Sequence, residues 1–150
     1  MKLEKGLLLY ITPFYYSDGK TQPQNKFFIC LKNDNSGTIL LSLPTSQDKI
    51  PSYHDVQYGC NDIDTANQCS YCFIAGNVVT DTGFSFEKNT YLFGSDVQDI
   101  QESLFLQLYK LEGVDYHIKG KLNHGELNNV VECFQNSKNV KRKIKRLLAE

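Results

Sequence analysis

Residues 26–46, "KFFICLKNDNSGTILLSLPTS", read as two apolar strands joined by a short polar turn. Both arms, Phe27–Asn33 and Thr38–Pro44, are rich in aromatic and branched residues, as strands that pack on one face require. Between them Asp34, Asn35 and Gly37 tolerate positive φ, so the pair is expected to form a hairpin. The second arm then turns polar: Pro44 lacks an amide donor and is expected to stop the ladder, leaving the hydroxyls of Thr45 and Ser46 at the mouth of a sheet.

The pattern extends outward. Residues 6–14, "GLLLYITPF", form a further apolar run ending near Pro13, and "YYSDGKTQPQN" (15–25) is a polar loop with turn formers at Asp18-Gly19 and Pro23. "YCFIAGNVV" (71–79) and "FEKNTYLFG" (86–94) are two more strand candidates. Short strands with tight turns and few helices between them imply a small antiparallel barrel or a strongly curved sheet.

After Gly94 the period changes. Val97, Ile100, Leu104, Leu108 and Leu111 recur at helical spacing behind a Ser95–Gln98 capping box. "VDYHIKGKL" (114–122) reads as a last edge strand. Asn123 and Glu126 repeat the cap pattern before a helix carrying Leu127, Val130, Val131 and Phe134. The final segment sets Val140, Ile144, Leu147 and Leu148 on one face and its cations on the other. The expected organisation is one β-rich α+β domain over 1–150, with a barrel-like part (1–94) and a helical, basic part (95–150).

Composition sets the bounds. A chain of 150 residues, 41% hydrophobic and 22% charged, suits one soluble core that buries roughly two-thirds of the unfolded surface. The net charge of -1 gives no global attraction to nucleic acid, yet Lys138, Lys141, Arg142, Lys143, Lys145 and Arg146 concentrate positive charge at one end. No apolar run is long enough to span a bilayer, and no small-residue cleavage site follows the first apolar segment, so the expectation is a cytoplasmic protein without membrane contact. Its five cysteines are then expected to be reduced thiols.

The order of these elements resembles the MazF/PemK family of toxin endoribonucleases over the first third of the chain. The matching pieces are the Gly-led strand 6–14, the polar loop "SDGKTQPQNK" (17–26), the strand "FFICLK" (27–32) and "ILLSLPTS" (39–46). The resemblance implies a compact SH3-like barrel, often dimeric, that cuts single-stranded RNA without a metal or other cofactor and has an antitoxin protein as partner. It assigns the basic catalytic position to Lys26 and the hydroxyl position to Thr45. Attack of a ribose 2′-OH on the adjacent phosphate builds negative charge, which a cation and a hydroxyl donor stabilise. Asp18 is the nearest candidate base. Lys20, Asn25, Ser46 and Lys49 border the same end and suit RNA binding, with Tyr16 (and Tyr15) available to stack on bases. The family has Arg-Pro where this chain has Lys26-Phe27, which replaces a planar fork with a point charge.

Other readings stand beside these. Thr45 or Ser46 could cap a turn at "SQDK", and the same barrel could bind nucleic acid or protein without catalysis. His54, Cys60, Cys69 and Cys72 offer four soft ligands for a structural zinc, although strand alternation would point Cys69 and Cys72 to opposite faces. Cys30 and Cys133 read as core residues.

Overall fold

A computed structural model describes residues 3–15, 18–33 and 36–149. Among them are eight strands, all paired antiparallel, and three α-helices toward the C-terminus. Strands β1 (Leu7–Phe14), β2 (Gln24–Asn33) and β3 (Thr38–Ser42) form the expected meander. The turn residues Asp34 and Asn35 lie outside the described residues. β4 (Gly59–Ile63), β5 (Gln68–Phe73) and β6 (Thr90–Phe93) form a second sheet, and β7 (Gln98–Gln101) and β8 (Tyr116–Lys121) complete the first in the order β7-β3-β2-β1-β8. Neither sheet closes on itself among the described residues, so the architecture is two open sheets.

Alternation along the central strands loads both faces of the five-stranded sheet. Leu8, Ile29, Leu31 and Leu40 face one side, where they meet Tyr71, Phe73 and Leu92 of the second sheet and Val130, Phe134, Ile144 and Leu148 of the helices. Leu7, Leu9, Ile11, Phe28, Cys30, Ile39 and Leu41 face the other, under Phe105 and Tyr109. At about 25 cal/mol per Å² of apolar surface removed from water, fully burying one such side chain contributes about 1.5–3 kcal/mol. The two-faced load explains why these strands read as nearly continuous apolar runs.

The segment after Gly94 differs from expectation. Gly94–Asp96 is a 3-10 turn, Gln98–Gln101 is strand β7, and helix α1 covers only Glu102–Leu108. Ser95 and Gln98 therefore form no capping box. The stripe turns over as well: Phe105 and Tyr109 are buried, while Leu104, Leu108 and Leu111 remain exposed. Edge pairing with β3, Thr38 to Gln101 through Leu41 to Gln98, has won over helical periodicity. Residues 95–150 thus supply two strands as well as three helices.

Helices α2 (His124–Gln135) and α3 (Arg142–Ala149) fall where their patterns predict, with Val140, Ile144 and Leu148 buried. Asn123 makes no side-chain cap. Glu126, its intended partner, instead accepts hydrogen bonds from the hydroxyls of Tyr58 and Tyr71. No helix among the described residues is long and apolar enough to cross a membrane.

Candidate nucleic-acid cleft

The polar end of β3 carries the chain from one sheet to the other. Beyond Pro44, Thr45 exchanges backbone hydrogen bonds with Tyr91 of β6, its N–H donating to Tyr91 O at 3.0 Å and its carbonyl accepting from Tyr91 N at 2.8 Å. The ladder expected to stop at Pro44 therefore resumes one residue later on the second sheet. No helical turn follows, but the Thr45 hydroxyl accepts the Gln47 N–H at 3.2 Å. That bond uses an oxygen lone pair, which leaves the hydroxyl hydrogen available to donate.

This junction opens a cleft of about 610 Å³ between the sheets. Asn25 and Lys26 from the start of β2, and Thr45 and Ser46 from beyond β3, line it together. Their convergence follows from register. β2 pairs with β1 through Ile11 opposite Lys26 and with β3 further along, while the Thr45–Tyr91 bridge holds the other wall. Lys26 is half-buried, and loss of hydration lowers its ammonium pKa below the usual 10.5; nearby Asp96 opposes the shift and the Lys49 charge adds to it.

The rest of the cleft escaped sequence reading. Lys88, Lys119 and Glu87 line it, with Tyr10, Phe27, Phe84 and Phe86 as an aromatic wall. The rings of Tyr10 and Phe27 lie 4.7 Å apart, Phe27 meets Phe86 edge-on at 5.2 Å, and Lys119 Nζ stands 5.9 Å from the Tyr10 centroid. The available signal was the alternating "FSFEK" of residues 84–88. Tertiary pairing brings that segment to the cleft, through the isolated bridge Val78–Ser85, the Gly76 N–H donating to Phe86 O at 3.0 Å and the Val79 N–H donating to Phe84 O at 2.9 Å, and no local spacing encodes it.

Three expected members stand elsewhere. Asp18 does not line the cleft: its carboxylate accepts the N–H groups of Lys20 and Thr21, each at 2.9 Å, and the Thr21 hydroxyl. These bonds, the Thr21 hydroxyl first, lower its pKa, the wrong direction for a base near neutrality. Lys20 is exposed on that same loop and does not line the cleft. Lys49 reaches across the Phe93 ring, 5.6 Å from its centroid, beside a smaller cavity with Gln68 and Asn139. Tyr16 lies outside the described residues. Tyr15 stacks on Tyr109 at 6.3 Å. On the basic terminus, Lys138 pairs with Asp64 at 3.5 Å and Lys143 with Asp99 at 3.1 Å.

The four soft ligands do not assemble. His54 Nε2 is 3.0 Å from Asn61 Oδ1, and Cys72 packs with Tyr91 and Phe93 in a separate cluster. Nor are all five thiols reduced: Cys60 of β4 and Cys133 of α2 form a disulfide, while Cys30, Cys69 and Cys72 are free and buried. A link across 73 residues depends on α2 docking over β4, which cysteine spacing cannot reveal. No family model matches this chain, and no curated protein matches it.

Proposed function

We propose that the cleft holds single-stranded RNA and that the chain acts on it as a MazF/PemK-like toxin-type endoribonuclease in the cytoplasm. One observation carries the reading: Asn25, Lys26, Thr45 and Ser46 share a cleft with two further lysines and an aromatic wall. Lysines track a phosphate backbone, and the half-buried rings of Tyr10, Phe27 and Phe84 offer faces on which unstacked bases stack whatever their identity. The packing of β1–β3 into a compact, barrel-like unit and the presence of an antitoxin or a second copy of the chain as protein partner belong to the same reading.

The chemistry is transesterification. The ribose 2′-OH attacks the adjacent phosphorus, the P–O5′ bond breaks, and the products carry a 2′,3′-cyclic phosphate and a 5′-hydroxyl. Lys26 stabilises the charge on the phosphorane oxygens, and Thr45 donates its hydroxyl hydrogen to them. The 2′-OH proton goes to Glu87, the carboxylate that lines the cleft where Asp18 does not, and the departing 5′-oxygen takes a proton from water. A second reading, binding without cleavage, is favoured by the commitment of Asp18 to its own loop.

Incubation of the protein and its Lys26→Ala, Thr45→Ala and Glu87→Gln variants with mixed-sequence single-stranded RNA in chelator separates the two. Cyclic-phosphate products lost in the variants establish the nuclease. A gel shift without products leaves the binding domain, and neither product nor shift refutes the RNA reading.

A further inference from the structure

Three sulfur atoms from three elements converge beneath α2. Those of Cys60 (β4), Cys69 (β5) and Cys133 (α2) lie within 4.8 Å of one another. Two form the disulfide, and the third, Cys69 Sγ, stands 3.6 Å from Cys133 Sγ. A structural disulfide needs no such neighbour. Cys30 and Cys72, each buried apart from any other sulfur cluster, show how this chain places a cysteine used only for packing.

A tetrahedral thiolate site with metal–sulfur bonds of about 2.3 Å has sulfurs separated by about 3.8 Å. Cys69 and Cys133 already stand close to that spacing. Cys60 occupies an exposed position of β4, where its released side chain can turn to complete one face of the tetrahedron. We propose that the reduced chain binds one thiophilic metal ion, zinc by preference, through Cys60, Cys69 and Cys133, with the disulfide as the metal-free, oxidised state of the same site.

The interconversion balances. A dithiol reductant gives its two hydrogens to Cys60 and Cys133 and closes into its own disulfide; the metal then displaces the three thiol protons. The fourth position opens toward a cleft of about 440 Å³ bounded by Cys60, Cys133, Tyr58 and Glu132, where water completes the coordination. Behind the site, Ser137 donates to Asp62 Oδ1 at 2.7 Å, and Asn139 donates to the same oxygen at 2.9 Å. Asp62 is the cross-strand partner of Cys69, so this network fixes the strand pair that presents the sulfur.

The test uses full-length protein reduced with a phosphine, freed of it anaerobically and titrated with Co²⁺. The expected result is a one-to-one sulfur-to-cobalt charge-transfer band, discharged by Zn²⁺ and absent from the oxidised protein. Cys60→Ser and Cys69→Ala should each weaken binding at least about tenfold, while Cys72→Ala keeps it. Cys60 is exposed, so its variant decides the matter if Cys69→Ala fails to fold by circular dichroism. No band in the reduced parent, an equal band in the oxidised protein, or a band retained by both ligand variants would overturn the proposal.

Discussion

Thr45 and Tyr91 exchange two backbone hydrogen bonds, 3.0 and 2.8 Å long, and through them the last residues of the first hairpin join the second sheet. The bond pair belongs to the main chain, so the Thr45 side chain is released from structural duty except for the Gln47 N–H it accepts. Thr45→Ala should therefore cost no more than about 1 kcal/mol in urea denaturation while removing the hydroxyl from the cleft. RNA cleavage should fall far more steeply than stability. Equal losses in both would make Thr45 a structural residue.

Lys26, Lys88 and Lys119 line the cleft, and each phosphate contact releases counterions. Affinity for single-stranded RNA should fall with salt, and each Lys→Ala change should reduce the slope of log K against log salt by about 0.7. Fluorescence anisotropy at several salt concentrations reads it. An unchanged slope for Lys119→Ala removes that residue from the interface.

Glu126 ties α2 to the second sheet through the hydroxyls of Tyr58 and Tyr71. Tyr58 donates to Oε1 and Tyr71 to Oε2, so Glu126→Gln, with a single carbonyl oxygen, can accept only one of these bonds and should cost about 1–3 kcal/mol at neutral pH. Burial first, then the hydrogen bond and charge of Glu126, hold the Tyr71 phenol above its usual 10.0. Its folded pKa is raised, so this contribution is complete below about pH 10 and is lost as pH rises further, because the unfolded chain ionises first. The urea midpoint of the parent should decline through that alkaline range, and that of Glu126→Gln should decline less.

Lys32 of β2 donates its ammonium to Leu147 O at 2.7 Å, in the last turn of α3. The bond satisfies an orphan carbonyl and opposes the negative end of the helix dipole. Lys32→Met keeps the stem and removes the donor, at a cost of about 1.5–3 kcal/mol. Amide exchange over residues 142–149 should accelerate while β1–β3 stay protected; uniform acceleration would mean that the bond supports the whole fold.

The parts legible from sequence were those whose burial pattern is local. β1–β3 announce themselves because both faces are covered, and α2 and α3 because one face is. β4 and β7 were missed for the opposite reason. "GCNDI" and "QDIQ" are polar strands, each paired on one side only, and Val97 and Ile100 happened to sit at helical spacing from Leu104 and Leu108. The sequence sets Glu126 in a cap pattern, because its tyrosine partners Tyr58 and Tyr71 lie far away along the chain. The same limit divided the site: Asn25, Lys26, Thr45 and Ser46 flank recognisable strand ends, whereas Glu87, Lys88 and Lys119 reach the cleft only through tertiary pairing.

The most direct test of the central claim is equilibrium binding of a fluorescein-labelled single-stranded RNA to two double variants. One, Lys26→Ala with Lys119→Ala, strips the cleft; the other, Lys141→Ala with Lys145→Ala, strips the C-terminal basic segment. Binding lost in the first and retained in the second is the predicted result. Loss confined to the second, or no binding by the parent at low salt, would contradict it.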